Sequence, residues 1–322
     1  MCGIILPRNG KCAVTKIFRS STFPKKLNFL CARRIEMGRI MVAGVVNVET
    51  SLRVEGFPLA YAPVLYPFGG VRSTVAGVGF NLALALHTLG DAVTLLALLG
   101  DDLAGELARL AAQRAGLDTA YLEPALAETP QSVVIYDQAG QRQIHTDLKD
   151  VQTQAYPAAR FAAALAGSQA AILGNVNFNR PFLSPTKAAG KLLVTDVHAI
   201  ADLDDDYNRD FMAAANVLFM SDARLPAPPE AWARAVQARY GTPIVVIGLG
   251  AEGALLAVQA DGFVGRFPAV VTRPVVNTVG AGDALLAAFV HGYLATADPY
   301  RALRQALVFA SYKIGAHGAA EG

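Results

Sequence analysis

The sequence predicts an α/β protein, doubly wound around a mainly parallel sheet with helices on both faces. Three observations support this fold class. Apolar runs of strand length alternate with stretches of helix length along most of the 322 residues. Several of these runs are continuously apolar, as is typical of strands covered on both faces. Two further segments, rich in β-type residues, predict a small appendage of strands beside the sheet. Strand–helix alternation of this kind builds parallel sheets through crossover connections.

The first part of the chain begins with a strand and continues with alternating helices and strands. We expect a strand at 39–46, a helix at 79–90, a strand at 92–100 and a helix at 103–116. Gly90 and Gly116 are the expected helix stops. Residues 51–57 and 64–75 combine β-type residues with Pro and Gly, which indicates short strands that leave the main sheet.

The second part of the chain resumes the alternation after a hairpin at 132–145, which turns around residues 137–140. Buried strands are expected at 170–174, 192–196, 216–220 and 243–248. A second hairpin joins 253–258 to 262–267, and helices at 284–295 and 300–316 close the chain. The strands within about 47–75 and 131–146 would together form the β appendage.

Charge and cysteine are concentrated at the start of the chain. Residues 1–36 contain eight basic side chains against Glu36, and they hold all three cysteines, whereas the whole chain carries a net charge of +2. We interpret 1–36 as a disordered arm or a start-site artefact upstream of Met37, with a targeting segment as the alternative. Residues 37–322 are expected to form the folded domain.

The composition excludes several classes of function. The body after residue 36 is mildly acidic, whereas nucleic-acid affinity depends on a basic face. No apolar run reaches the roughly 18–20 residues that span a bilayer. The body also lacks cysteine, so disulfides do not hold the fold. We therefore expect a cytoplasmic protein that binds neither nucleic acid nor membrane.

Residues 277–283, NTVGAGD, carry the strongest chemical signal. Helix N-termini present unpaired N–H groups and bind anions, and Gly280, Ala281 and Gly282 let a phosphoryl group approach that backbone. A carboxylate at Asp283 could then take the proton from an attacking hydroxyl during phosphoryl transfer. The motif is also compatible with an ordinary glycine turn before a helix.

Other segments resemble one family in the same order. NTVGAGD resembles the DTxGAGD signature of the ribokinase-like (PfkB) carbohydrate kinases, and residues 76–119 resemble that family's other signature. Residues 47–50, NVET, are similar to its substrate-contacting Asn-x-Asp. The segments at 129–144 and 245–256 resemble its T…G-x-R hairpin and its nucleotide loop. The resemblance runs from about residue 39 to 320 and implies a ribokinase-like fold whose β appendage is a lid.

The resemblance also implies roles for individual residues. Asp283 would be the general base, and Gly280, Ala281 and Gly282 the anion hole. Residues that would contact the hydroxyl groups of the substrate are Asn47, Gly77, Gly79 and Asn81, with Glu49 where the family usually has Asp. Residues that would lie around ATP are Gly250, Gly253, Thr278, Asn277 and Ser221. The implied cofactors are ATP and Mg²⁺, with a monovalent cation such as K⁺ as a further candidate.

The chain departs from the family pattern at two places. Asn277 replaces the first Asp of the signature, which removes one carboxylate near the phosphates. Around Ser221 and Arg224 the chain lacks the Asn-x-x-Glu that orders metal-bound water in the family. The metal ligands are therefore unknown, with Asp196 and Asp222 as candidates.

The resemblance leads to a kinase hypothesis and a non-catalytic alternative. We expect transfer of the γ-phosphoryl group of ATP to a primary hydroxyl of a sugar or nucleoside. The alternative is a ribokinase-fold binding or regulatory protein with weak or no catalysis. The GLGAEG stretch at 248–253 also matches a dinucleotide fingerprint, but it enters a strand and a turn where that motif requires a helix. The expected partners are the small-molecule substrate and a second copy that pairs through the lid.

Overall fold

The computed structural model describes residues 38–138 and 141–316. The interpretation of residues 1–36 as a leader, and the tip of the first hairpin at 139–140, lie outside the described residues. The strands are β1 (Arg39–Ala43), β2 (Asn47–Arg53), β3 (Val71–Ala76), β4 (Ala92–Gly100), β5 (Leu122–Leu126), β6 (Gln131–Tyr136), β7 (Arg142–Asp147), β8 (Ala170–Leu173), β9 (Leu192–Asp196), β10 (Val217–Ser221), β11 (Ile244–Gly248), β12 (Ala254–Val258) and β13 (Phe263–Phe267).

Eight α-helices connect these strands within the described residues. They are α1 (Val78–Thr88), α2 (Leu103–Arg114), α3 (Ala158–Ala166), α4 (Leu183–Ala188), α5 (Arg209–Ala214), α6 (Pro229–Tyr240), α7 (Ala281–Thr296) and α8 (Pro299–Lys313). No described helix has both the length and the apolar character that a bilayer crossing needs.

A nine-stranded sheet forms the centre of the fold, in the order β13-β12-β11-β10-β9-β8-β1-β4-β5. The seven strands from β11 to β5 run parallel, and β12 and β13 add an antiparallel edge. Helices cover both faces because successive residues of a strand point to opposite sides. Ile40 and Val42 of β1 pack in one core cluster with α1, α7 and α8, whereas Met41 and Ala43 pack in the other with α3–α6. The predicted fold class is confirmed.

A second, four-stranded sheet has the order β3-β2-β6-β7. The pairs β2–β3 and β6–β7 are antiparallel, and β2–β6 is parallel. It is the β appendage expected from the sequence. Its strands differ from the expectation at two points: residues 54–57, after β2, and residues 64–70, before β3, are not strand. The edge strand β5 was also not predicted, because its segment LEPAL contains Pro and lacks a continuous apolar run.

The connections between strands locate the expected binding edge of the large sheet. From β1 the chain moves to β4 and β5 on one side, and from β8 onward it moves to the other side. The strand order therefore reverses between β1 and β8. In open α/β sheets ligands bind beyond the carboxyl ends of the strands at such a switch point.

Candidate active site

Asp283 lies in the first turn of α7 and faces α1. The Nδ2 of Asn81, a buried residue of α1, donates a hydrogen bond of 2.7 Å to Oδ2 of Asp283. The two helices pack against each other, since both contribute to the same core cluster. The carboxyl group is thus half-buried and held in one orientation, as a catalytic base must be.

The surroundings of Asp283 raise the pKa of its carboxyl to about 6. Removal of the carboxylate from water is the largest cause, and the nearby negative charge of Asp196 acts in the same direction. The Asn81 hydrogen bond and the charges of His198 and Lys313 act in the opposite direction. A carboxylate with a pKa near neutrality accepts a proton more readily than an ordinary Asp and is still ionised at pH 7.

The loop before α7 leaves backbone amides available at the helix start. Gly280 takes a left-handed conformation with φ 79°, which glycine adopts without steric cost. Ala284 donates the first helical bond to the Gly280 carbonyl, so the amides of Gly282 and Asp283 precede the helical ladder. A β-carbon at Gly282 would meet no atom within 4 Å, so the space above this turn is open. Unbonded amides at a helix start, with open space beside them, are an arrangement that can bind an anion.

Ala281 differs from the other members of the expected anion hole. Its N–H donates to the carbonyl oxygen of Thr278 at 3.2 Å and so closes the turn that leads into the helix. Asn277 supports the same turn, because its Oδ1 accepts a bond of 2.9 Å from the Val279 N–H. The Asn277 N–H in turn donates to the Ile314 carbonyl at 3.0 Å. The loop is therefore built by its own hydrogen bonds.

Thr278 is exposed and is contacted by the second sheet. Nη1 of Arg142, the first residue of β7, donates to Thr278 Oγ1 at 2.9 Å. This bond joins the four-stranded sheet to the loop before α7. Arg142 was not among the site residues expected from the sequence, although the hairpin motif that contains it was recognised.

The start of β2 brings polar residues toward the same region. Asn47 is buried, and its Nδ2 donates to Ser132 Oγ of β6 at 2.7 Å. Burial raises the pKa of Glu49, while a hydrogen bond with Ser132 and the charges of Lys313 and Arg142 lower it. Since Lys313 interacts with both Glu49 and Asp283, these two carboxyl groups share one electrostatic environment.

Two buried oxygen atoms near these carboxyl groups have unused bonding capacity. Among the described residues, Oδ1 of Asn47 and Oδ1 of Asn81 lack a hydrogen-bond partner. Leaving such an acceptor unsatisfied is costly, and the cost disappears when a ligand hydroxyl donates to it.

Gly77 and Gly79 are explained by close packing of the backbone. A β-carbon at Gly77 would lie 2.5 Å from the Val45 carbonyl oxygen and 2.8 Å from Asn47 Oδ1. One at Gly79 would lie 2.8 Å from the Gly44 carbonyl group. Both glycines therefore allow the start of α1 to approach the segment after β1, and so place Asn81 near Asn47.

Three of the residues expected around ATP lie at or just after the ends of β10 and β11. Gly250 begins a short 3₁₀ turn, and a β-carbon there would meet open space. Gly253 is buried with φ 104°, and a β-carbon there would collide with the Phe267 carbonyl oxygen. Ser221 uses its Oγ to accept the Ala223 N–H at 3.2 Å, which caps its own turn.

Asp196 and His198 extend the site along the carboxyl edge of the sheet. Asp196 ends β9, and its Oδ1 accepts a 2.7 Å bond from the His198 N–H. His198 has a φ of 57°, which is uncommon for a residue other than glycine and marks a constrained position. The charges of both side chains act on Asp283. Asp222, the other metal candidate, interacts with Arg266 of β13.

Lys313 was missed because its position in the sequence carries no motif. It is the last residue of α8, is buried, and its Nζ donates to the Val279 carbonyl oxygen. No signal in a single sequence distinguishes it from a lysine at an ordinary helix end.

Comparisons with known proteins identify the family to which the chain belongs. The family model for pfkB family carbohydrate kinases matches residues 37–177 and 189–322. An acarbose 7(IV)-phosphotransferase from Actinoplanes sp. (strain ATCC 31044 / CBS 674.73 / SE50/110) is 29% identical over 277 residues, 85% of this chain and 91% of that protein. An ATP-dependent ribose-1-phosphate kinase from Halopiger xanaduensis (strain DSM 18323 / JCM 14033 / SH-6) is 27% identical over 306 residues, 88% and 94% respectively.

A solved structure shows the same fold. The structure of a microbiome-derived acarbose kinase matches with a TM-score of 0.80 and 28% identity, covering 88% of this chain and 94% of that one. A ribokinase-like fold with a site at the start of α7 defines a sugar-kinase class of protein. The chain belongs to the pfkB family of carbohydrate kinases. It is a phosphotransferase with an alcohol group as acceptor.

Proposed function

We propose that this chain transfers the γ-phosphoryl group of ATP to a primary hydroxyl of a sugar or nucleoside, with Asp283 as general base. The observation that carries the proposal is the position of Asp283. Its half-buried carboxylate is oriented by Asn81 at 2.7 Å and lies at the open N-terminus of α7.

The proposed reaction is an in-line displacement. Asp283 takes the proton of the acceptor hydroxyl as its oxygen attacks the γ-phosphorus. The bond from that phosphorus to the bridging oxygen breaks, and ADP leaves with the electron pair. Charge that develops on the transferring group is stabilised by the backbone amides at Gly280, Gly282 and Asp283. The Ala281 amide supports this site indirectly, because it closes the turn.

The acceptor lies between α1 and β2 in this proposal. Its hydroxyl groups donate to the unpartnered oxygens of Asn47 and Asn81, and Glu49 accepts a further hydrogen bond. Asn47, Asn81 and Glu49 are all polar, which suits a polyhydroxylated ligand. The relatives named above act on acarbose and on ribose 1-phosphate, so both compounds belong in a panel of acceptors.

ATP is placed at the loop formed around Gly250 and Gly253, with its phosphates reaching Thr278. A magnesium ion would neutralise phosphate charge during transfer. No group of three or more His, Cys, Asp or Glu residues that could hold a metal occurs in the described part of the chain. Isolated carboxylates such as Asp196 and Asp222 fit a Mg²⁺ ion that is held mainly by phosphates and water, with one or two carboxylates near it.

The four-stranded sheet serves as a lid over the acceptor. Arg142 supports this role, because its bond to Thr278 joins the lid to the loop at the start of α7. Closure excludes water and so limits hydrolysis of ATP. The lid also supports self-association: several exposed apolar side chains lie between β2 and β3, namely Leu59, Tyr61, Val64, Leu65, Tyr66 and Phe68. Light scattering of the purified protein tests for the dimer.

The function is tested by measuring ADP formed from ATP in the presence of Mg²⁺. The acceptors are a panel of sugars, sugar phosphates, nucleosides and acarbose. We expect turnover with at least one acceptor, and a loss of kcat of at least 10³-fold in Asp283→Asn, since general-base catalysis and the charge of the base are both removed. Asp206→Asn is the matched control, because Asp206 is an exposed partner of Arg209.

Two results would count against the proposal. Full activity of Asp283→Asn would remove the assigned base. Saturable binding of an acceptor without turnover by the wild-type protein would favour the non-catalytic binding or regulatory protein.

A further inference from the structure

Lys313 is a buried cation next to the loop that leads into α7. Lys313 is only 5% exposed, and its Nζ donates to the carbonyl oxygen of Val279. Lysine is rarely buried to this degree unless its charge has a partner. Burial of an ammonium is costly, so its retention here needs an explanation beyond packing of a helix end.

The carbonyl that Lys313 contacts belongs to the first peptide of the anion site. The peptide between Val279 and Gly280 is planar and trans, so its N–H points away from its C=O. Fixing the oxygen on one side therefore fixes the direction of the Gly280 N–H on the other. The positive charge of the ammonium beside the carbonyl oxygen also polarises the peptide and makes that N–H a stronger donor. Lys313 is thus linked through one peptide to the donors that face the phosphoryl group.

The charge of Lys313 also acts on both carboxyl groups of the site. It favours the ionised form of Asp283 and of Glu49. The other groups that act on Asp283 are Asn81 of α1, Asp196 of β9, and His198 in the segment after β9. Ser132 and Arg142 are the other groups that act on Glu49. One buried ammonium therefore influences both the base and the acceptor side of the site.

We infer that Lys313 is a positioning residue for phosphoryl transfer, which holds the Val279–Gly280 peptide in place and supplies a fixed positive charge behind the anion site. This inference rests on the proposed function. It also bears on where K⁺, the monovalent cation suggested by the family resemblance, could bind. Proteins bind K⁺ through carbonyl oxygens. Here the Val279 carbonyl is already bonded to an ammonium, so K⁺ does not fit at this oxygen.

Substitution of Lys313 tests the inference. Lys313→Met keeps an unbranched, slightly shorter side chain and removes its charge, and Lys313→Arg keeps the charge. We expect Lys313→Met to lower kcat roughly 100-fold, the scale reported for loss of one donor that stabilises a transition state. The KM for the acceptor should change less than threefold. The acid limb of the kcat–pH profile should move to higher pH, and Lys313→Arg should recover part of both effects.

Lys191→Met is the matched control, because the Lys191 ammonium also donates to a backbone carbonyl, that of Ser168, away from the site. A merely structural role for Lys313 would lower the melting temperature without moving the pH profile. Wild-type kcat and an unshifted profile in a folded Lys313→Met protein would overturn the inference.

A measurement on the wild-type protein covers the case in which Lys313→Met does not fold. Turnover is compared in sodium, potassium and tetramethylammonium buffers at equal ionic strength. We expect rates within twofold of one another, and a tenfold stimulation by K⁺ would overturn the inference. Failure of the proposed function looks different, since the wild-type protein would then turn over no acceptor in any buffer.

Discussion

Asn81 and Asp283 are 202 residues apart in the chain and are joined by a hydrogen bond of 2.7 Å from Nδ2 to Oδ2. The bond connects α1, which follows β3, to α7, which begins at the glycine turn of residues 280–282. It favours the ionised form of Asp283 against the effect of burial. In the proposed reaction, acceptor binding and proton transfer therefore depend on the same pair of residues.

Replacement of Asn81 by Leu should move the pH dependence of catalysis. The bond lowers the pKa of Asp283, so its loss raises that pKa above about 6. Because the deprotonated form is the base, the acid limb of kcat/KM should shift to higher pH, with kcat/KM reduced roughly tenfold at pH 7, as expected for a bond to a charged group. Asn81→Ser, which keeps a donor, should shift less. An unmoved limb in Asn81→Leu would contradict this role of the bond.

Asp283→Asn should stabilise the protein at neutral pH while it abolishes activity. A carboxyl whose pKa is raised stabilises the folded state when it is protonated; this contribution is present at low pH and is lost as the pH rises through about 6. A rise from 3.8 to about 6 sets an upper bound of about 3 kcal/mol at pH 7.5. We expect a melting temperature a few degrees higher at pH 7.5 and little change at pH 4. Asp206→Asn should change neither, and equal effects at both pH values would refute the argument.

The sequence predicted the architecture well because the relevant signals are local. Continuous apolar runs identified β1, β4 and β8–β11, and the glycines after helices marked where α1 and α2 stop. β5 escaped prediction, since its five residues contain Pro124 and lie at the sheet edge. Residues 64–70 contain Val, Leu, Tyr and Phe, yet these side chains are exposed and do not belong to a strand.

The site was predictable only where a motif carries it. The pattern at 280–283 indicated the helix start and its carboxylate, and the backbone geometry there fits that expectation. Contacts between distant segments have no such signal: Lys313 reaches Val279 and Arg142 reaches Thr278 only through the fold. The use of the Ala281 amide inside the turn likewise depends on the conformation of the loop.

Arg142→Ala should uncouple ATP hydrolysis from transfer. The variant loses the bond of 2.9 Å to Thr278 and a positive charge that acts on Glu49. A lid held less firmly admits water, so we expect kcat/KM for the acceptor to fall roughly tenfold. ADP release without acceptor should rise, and with acceptor present more ADP should form than phosphorylated product. Arg72→Ala, in β3 of the same sheet, is the control. Unchanged coupling would show that Arg142 is not needed for closure.

His291→Gln should destabilise the protein in a pH-dependent manner. Nδ1 of His291 lies 2.9 Å from Oδ2 of Asp91, whose Oδ1 accepts the Gly38 N–H at 3.1 Å. This hydrogen bond raises the pKa of His291 above 6.5. The stabilisation is complete below 6.5 and is lost as the pH rises through the folded pKa. Urea denaturation should therefore show a larger loss at pH 5.5 than at pH 8.5. Exposed His145→Gln is the control, and equal losses would refute the pairing.

Asn277→Asp should lower the Mg²⁺ concentration needed for activity. Asn277 stands one residue before Thr278, and its Oδ1 accepts the Val279 N–H, a bond that a carboxylate at this position can also accept. The variant therefore keeps the turn and adds a negative charge near the phosphates, where a hard cation binds oxygen ligands. With few carboxylates in the site, we expect half-maximal activity of the wild-type protein at millimolar free Mg²⁺, and a severalfold lower value in the variant. A titration at fixed ATP measures both, with Asn277→Ala to separate added charge from loss of the turn. Saturation of the wild-type protein at micromolar Mg²⁺ would contradict the view that Asn277 weakens metal binding.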